Sequence, residues 1–295
     1  MKTNLSRRSA IRKIAGSAAV AAVASLAPRL AAAEEALAAI KLNGRINHSV
    51  CKWCYPKIAL EDLCKAGKEI GLRAIDLLQT KDFPTLKKYD LTCAMVTGVP
   101  GDITKGLNRT ENHDRIFAFM EQTLPAAGEF GAPNVICFSG NRNGQGDEEG
   151  LQNCADGLKR IMPLAEKHKV TVCMELLNSK VNHKDYQCDR TAWGVELAKR
   201  VGSERFKLLY DIYHMQIMEG NLIATIRANH QFFAHYHTGG VPGRAEIDDS
   251  QEIFYPSVMK AILETGYTGF VAQEFVPKRP DVLASLKQAV QIYDV

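Results

Sequence analysis

Eight short apolar runs, each followed by an amphipathic segment, set the strongest limit on what this chain becomes. They occupy residues 46–51, 74–78, 91–96, 135–138, 170–175, 206–211, 232–237 and 270–274. Apolar residues continue through each run without alternating with polar ones, as strands buried on both faces require. Between and after them, periodicity and end signals predict helices over 59–70, near 84–89, and over 111–130, 151–168, 192–201, 222–229, 255–265 and 279–292. Eight strand-helix units in one chain favour a TIM (β/α)8 barrel over an open doubly wound sheet. Neither GxGxxG nor GxxxxGK[ST] occurs, so a nucleotide-binding sheet has no phosphate loop to build on.

The first 33 residues stand apart from this pattern. Lys2, Arg7, Arg8, Arg12 and Lys13 form a basic head, an Ala-rich stretch follows, and Ala31-Ala32-Ala33 offers a cleavage site. That order reads as a cleavable export signal, and Ser6-Arg7-Arg8 points to the twin-arginine route and a periplasmic destination. The domain division expected is therefore a signal over 1–33 and a single barrel over 40–295, with no stable membrane anchor.

The segment carries six basic residues and no acidic one, so its removal takes the formal net charge from +4 to about −2. A basic surface for nucleic acid is not supported. About 262 residues are left, close to the ~250 a barrel needs. Eight cysteines in an exported chain raise the question of disulfides. Cys93, Cys137 and Cys173 fall inside apolar runs, where a thiol acts as a small hydrophobe. Cys51 and Cys54 form a lone C-x-x-C, for which core thiols are the preferred reading and a disulfide stays open.

The last four runs each end on a metal-ligand type: Glu175, Asp211, His237 and Glu274, separated by 36, 26 and 37 residues. In a parallel barrel all C-terminal strand ends meet at one mouth. Two Glu, one Asp and one His form an oxygen-rich set suited to one Mn²⁺, Mg²⁺ or Co²⁺ ion, with Zn²⁺ not excluded. A strand-end Glu or His taken singly is usually a capping or solvated residue; four of ligand type in succession are much harder to reach by chance. A cation there acts as a Lewis acid toward a 2-hydroxycarbonyl compound and stabilises the enediolate formed on proton loss. Glu175 and Glu274, three strands apart around the ring, would remove and return that proton from different faces.

His214 and Arg244, in the stretches after Asp211 and His237, are candidates to hold substrate oxygens. His183 and Glu252 are secondary candidates from mouth-facing loops, and Trp53 offers an apolar wall. His168, His230 and His235 read as structural.

The string Tyr210-Asp211-Ile212-Tyr213-His214-Met215-Gln216, then Met218-Glu219-Gly220, resembles the hydroxypyruvate isomerase family. Val241-Pro242-Gly243-Arg244 does so too, and the wider likeness is to the xylose isomerase-like barrels, including ketose 3-epimerases. The likeness is strongest over 170–275. It implies a metal held by Glu175, Asp211, His237 and Glu274, proton transfer by the two glutamates, and substrate oxygens held by His214 and Arg244. Where hydroxypyruvate isomerases carry Gln, this chain has His237, as the epimerases do.

The expected activity is thus a metal-dependent isomerase or epimerase of hydroxypyruvate, a ketose or a keto-sugar, with a small molecule as partner and a homo-oligomer compatible. Two alternatives stand beside it. One is an enzyme like the metal-dependent abasic-site endonucleases, which would need more ligands and a basic groove. The other is a non-catalytic exported sugar-binding barrel.

Overall fold

The computed structural model describes residues 41–295. The signal expected over 1–33 lies outside the described residues. From 42 onward the chain is a single barrel-like unit.

Seven parallel strands form one curled sheet: β1 (Asn47–Cys51), β2 (Ala74–Asp76), β3 (Asn134–Cys137), β4 (Thr171–Glu175), β5 (Phe206–Asp211), β6 (Phe233–Thr238) and β7 (Phe270–Gln273). Their order is β2-β1-β7-β6-β5-β4-β3. The strands are central because both of their faces are covered: every residue of β2, β3 and β4 is buried, Asp76, Asn134 and Glu175 included. Helices α1 (Leu60–Ile70), α2 (Phe83–Lys88), α3 (His113–Phe130), α4 (Asp147–His168), α5 (Thr191–Val201), α6 (Ile212–Met218), α7 (Leu222–Asn229), α8 (Tyr255–Glu264) and α9 (Val282–Tyr293) return the chain between strands and close it.

The third expected strand, 91–96, is an irregular stave instead. It forms parallel bridges, Ala74 to Thr92 and Leu78 to Val96 on one side and Val96 to Val135 on the other. The amides of Ile75 and Leu77 donate to it on one side; on the other it exchanges bonds with Asn134 and Ile136. The ring is thereby completed between β2 and β3. The cause is local. Leu77 takes φ +58, a left-handed conformation rare for a branched side chain, and ends β2 after three residues. A partner strand cannot run regularly beside so short an edge.

Other differences follow from helix ends. Helix α4 starts at Asp147, four residues before the first apolar position, because Asp147, Glu148 and Glu149 favour the positive end of the helix dipole. Helix α9 starts at Val282, after Pro280, with the Asp281 carboxylate accepting from the Ala284 amide. Helix α6 falls where the sequence suggested a loop, and Asp211 caps it by accepting from the His214 amide at 3.1 Å.

All eight cysteines are free and buried, Cys51 and Cys54 included. Among the described residues no helix is long and apolar enough to cross a membrane.

Candidate metal centre

Parallel ladders fix the height at which each strand ends. Asp211 pairs in register with His237, and Glu175 with Leu209, two residues before Asp211. His237 pairs with Ala272, two residues before Glu274. Side chains two apart on a strand share a face, so Glu175, Asp211, His237 and Glu274 come inward at the same mouth. Their ligand atoms all lie within 4.8 Å of one another, and all four residues are buried.

His237 Nδ1 is 2.7 Å from Glu274 Oε2 and 3.4 Å from Glu175 Oε1. Yet His237 Nδ1 and Glu175 Oε1 are buried without a hydrogen-bond partner. Leaving such atoms unpaired is costly. Three carboxylates this close also repel, and removing charges from water adds a large further penalty.

The local electrostatics show what the site draws in. Burial works against charge on His237, but Cys51, Glu274 and Asp76 around it pull its imidazole well above the ordinary range. Burial, then the neighbouring glutamates, pushes Asp211 up to about 8. Burial also raises Glu175, with Glu274 adding to the effect. Glu274 is buried as deeply, but Arg244 and His237 hold it well below the usual carboxylate range. A site that pulls a proton onto a buried imidazole attracts a divalent cation for the same reason, and binding the cation releases that proton. About four N/O donors at this spacing, two of them orphaned, suit an ion with ~2.1 Å bonds. The residues present fit the group.

His237 is aimed from beneath. Its Nε2 lies 3.6 Å from Asp76 Oδ2 and 3.7 Å from Cys51 Sγ. The same Asp76 oxygen is 2.6 Å from His235 Nε2. A carboxylate behind a ligating imidazole fixes its tautomer and its ring orientation. Asp76, at the end of β2, was absent from the sequence candidates, because it lies inside the apolar run 74–78 and does not close it as the four that were found close theirs. His235 is buried structure, as expected, and its structural job is to hold Asp76.

Arg244 reaches the site from a tight turn. Its backbone φ of +54 follows Gly243 at +89, and Gly240 pairs back to Ala245. Its Nη2 sits 2.5 Å from Glu274 Oε2 and 3.2 Å from Asp211 Oδ2. A Cβ on Gly239 would come 3.1 Å from Arg244 Cγ, so glycine there leaves the side chain room to pass. Trp53 is more than a wall: its Nε1–H donates to Glu274 Oε1 at 2.7 Å, and Arg244 lies 5.2 Å from its ring.

The remaining sequence candidates separate. His214 was expected to lean over the mouth, but the short helix α6 buries it completely. Its Nδ1 accepts from the Asn178 amide at 3.1 Å, which leaves the proton on Nε2, 3.6 Å from Asp211 Oδ2. It stands behind Asp211 rather than in the cavity. His183 does line the cavity, edge-on to His214. Glu252 is a correction: it is exposed, accepts from Gln216 Nε2 at 3.0 Å, and borders a separate outer groove. Its loop turns outward where the Glu252 amide bonds the Val241 carbonyl.

Above the donors opens a cavity of about 490 Å³, lined in part by Glu175, Glu274, Arg244, His183 and Trp53. The rest of its lining comes from the loops after β2, the irregular stave and β3: Leu77, Val99, Pro100, Ile103, Ile136 and Phe138, with Gln79, Thr97 and Asp102 among them. Asp102 was also missed from the sequence, where a Gly-Val-Pro-Gly-Asp loop carries no periodic signal.

Comparison with known proteins places this geometry. A family model described as xylose isomerase-like TIM barrel matches residues 64–291. A human protein named putative hydroxypyruvate isomerase is 24% identical over 235 residues, covering 77% of this chain and 78% of its own length. A 2-oxo-tetronate isomerase from Cupriavidus necator is 26% identical over 235 residues, covering 76% of this chain and 90% of its own. A crystal structure titled AP endonuclease, family 2, from Brucella melitensis superposes with a TM-score of 0.74 at 22% identity. It covers 82% of this chain and 96% of that one, a likeness of fold.

Proposed function

This chain belongs to the xylose isomerase-like TIM barrel family, and from that premise we propose that it is a divalent-metal-dependent isomerase or epimerase of a small 2-hydroxycarbonyl compound. The observation that carries the reading is the convergence of four buried donors within 4.8 Å beneath an open cavity. Glu175, Asp211, His237 and Glu274 would hold the ion. When bound, the cation supplies Lewis acidity toward the carbonyl and hydroxyl oxygens of the substrate.

The two glutamates divide the proton work. Their surroundings push them in opposite directions, Glu274 toward the ionised form and Glu175 toward the protonated one. One removes the proton from the carbon next to the carbonyl, and the other delivers one to the enediolate. Delivery to the neighbouring carbon gives isomerisation; delivery to the opposite face of the same carbon gives epimerisation. Arg244 and the Trp53 indole hold the Glu274 carboxylate in place during the transfer. Asp76 keeps His237 turned toward the donors. The relatives named for hydroxypyruvate and 2-oxo-tetronate support enolisation chemistry of this kind.

Incubation in deuterated water with Mg²⁺ across a panel of hydroxypyruvate, ketoses and keto-sugars tests the reading. Deuterium enters the substrate in the wild type, and Glu175→Ala and Glu274→Ala each abolish that entry. Undiminished exchange in both variants overturns the mechanism. Calorimetric sugar binding with no turnover would support a binding barrel instead. Export and a periplasmic location, read from residues 1–33, belong to the same proposal; fractionation of cells expressing the full chain checks them.

A further inference from the structure

The cavity has a charged feature that proton transfer does not use. Asp102 lies on its wall, in the loop between the irregular stave and α3, and is 2% exposed. Its Oδ2 is buried with no hydrogen-bond partner. It approaches the space left by Gly98, where an added Cβ would lie 3.3 Å from Oδ2 and 2.7 Å from the Ile136 carbonyl oxygen. Burial pushes the carboxyl up to about 7, and the backbone amides and Arg115 offset this only in part. A fold has no use for an unpaired buried carboxylate oxygen, because it costs stability and returns no bond. Such a cost persists at a functional site when a ligand completes the bond.

The charges around the cavity limit what that ligand is. Asp102, Glu175 and Glu274 are acidic, and Arg244 is the one full cation among the described lining residues. Arg244 is already shared between Asp211 and Glu274. His183 is the other basic group, and burial followed by Arg244 lowers it further toward the neutral form. No side-chain cation is left over to meet a substrate carboxylate away from the donor cluster, and Asp102 would repel one placed beside it.

We propose that Asp102 is a specificity-determining residue that accepts a hydrogen bond from a remote hydroxyl of an uncharged polyhydroxy ketone, and that it excludes the 2-oxo acids. This inference rests on the enolisation reading above and narrows its substrate class. It separates this chain from the carboxylate substrates named for its relatives. The donor is a hydroxyl away from the reacting carbons, since Asp102 enters the cavity from the loop after the irregular stave and the acidic pair from the ends of β4 and β7.

Deuterium exchange at pH 8 with Mg²⁺ provides the test. Wild type should exchange D-fructose with at least ~10-fold higher kcat/KM than hydroxypyruvate. Loss of one charge-assisted hydrogen bond is worth ~10-fold or more, so Asp102→Asn should raise KM for D-fructose about tenfold more than for dihydroxyacetone, which lacks the remote hydroxyls. The same variant should narrow the gap between D-fructose and hydroxypyruvate. Equal or faster exchange of hydroxypyruvate by wild type overturns the inference, as does an equal rise in KM for both ketones.

Calorimetry on the Mg²⁺-loaded wild type, titrated with xylitol and then threonate, needs neither turnover nor a variant. Xylitol should bind and threonate should bind at least ~10-fold more weakly. Absent xylitol binding, or threonate binding as tightly, overturns the inference. If no compound exchanges but Asp102→Asn weakens xylitol binding, the enolisation reading fails and the role of Asp102 stands.

Discussion

The two halves of the ring are built differently. Strands β4, β5, β6 and β7 run four to six residues in continuous parallel register, with one irregularity between β5 and β6. All four candidate ligands come from the ends of these strands. The half made of β1, β2, the irregular stave and β3 is ragged, with a three-residue strand and isolated bridges. It supplies Asp76 beneath the site and Trp53, Asp102 and most of the apolar wall above it. A cation needs donors held to a fraction of an ångström, which continuous ladders provide. A substrate wall needs shape and a few polar groups, and loops leaving short strands give that freedom. On the proposed reading, one half serves coordination and the other selection.

The sharpest way to break that division is to remove a ligand. His237→Ala and Asp211→Ala should each lower exchange activity by ~10³-fold or more, since the metal's stabilisation of developing charge is lost with its binding. Metal content after dialysis should fall in parallel. Full metal occupancy in either variant would remove that residue from the coordination set. Asp76→Asn probes the other half where its carboxylate backs the candidate ligand His237. Loss of the carboxylate behind His237 should weaken metal affinity by ~10–100-fold, measured by competition with a chelator. A smaller loss would mean that Cys51 and the barrel packing orient His237 without Asp76.

Asp102 lets the selecting half be read through stability. Its carboxyl is near 7 when folded against an ordinary 3.8. With the folded value raised, the unfolded chain gives up this proton first as pH rises. Stability is therefore lost between about pH 4 and 7, and the full penalty is present above 7. Each pKa unit corresponds to about 1.4 kcal/mol, so the advantage of Asp102→Asn over wild type should grow by about 2 kcal/mol between pH 5.5 and 8. Arg115 is the charged side chain acting on it, and burial pushes the neighbouring Cys137 thiol well up, so that it stays neutral in that interval. Urea unfolding at the two pH values measures the difference. A flat difference would mean that Asp102 is already satisfied in the free protein.

The same division decided what could be read from sequence. The four candidate ligands were legible because each closes an apolar run, and the runs recur at strand-helix spacing. The barrel was legible for the same reason. Asp102 was not, because it sits among Gly, Val and Pro with no period to fix its direction. Residues 91–96 looked as apolar as any strand, and nothing in their composition foretold the left-handed Leu77 that breaks their partner. His214, a candidate to hold substrate oxygens, lies behind Asp211, and its burial depended on helix α6. That helix starts from Asp211 as its cap, so one carboxylate serves both the helix and the site. Glu252 misled because loop position alone does not say whether a side chain faces inward.

The smallest expected effect lies where the two halves meet. Trp53 belongs to the selecting half, in the turn after β1, yet its indole N–H bonds the Glu274 carboxylate of the coordinating half. Trp53→Phe keeps a ring beside Arg244 and removes only that donor. The indole is 45% exposed, so water replaces part of the lost bond. A loss of about 1 kcal/mol follows, or roughly fivefold. Because the bond is to a proton-transferring carboxylate and not to the substrate, the loss should appear in kcat with KM little changed. Trp53→Ala also removes the wall and should raise KM as well. If Trp53→Phe changes KM and leaves kcat intact, the indole reads substrate instead of holding Glu274, and Trp53 belongs wholly to the selecting half.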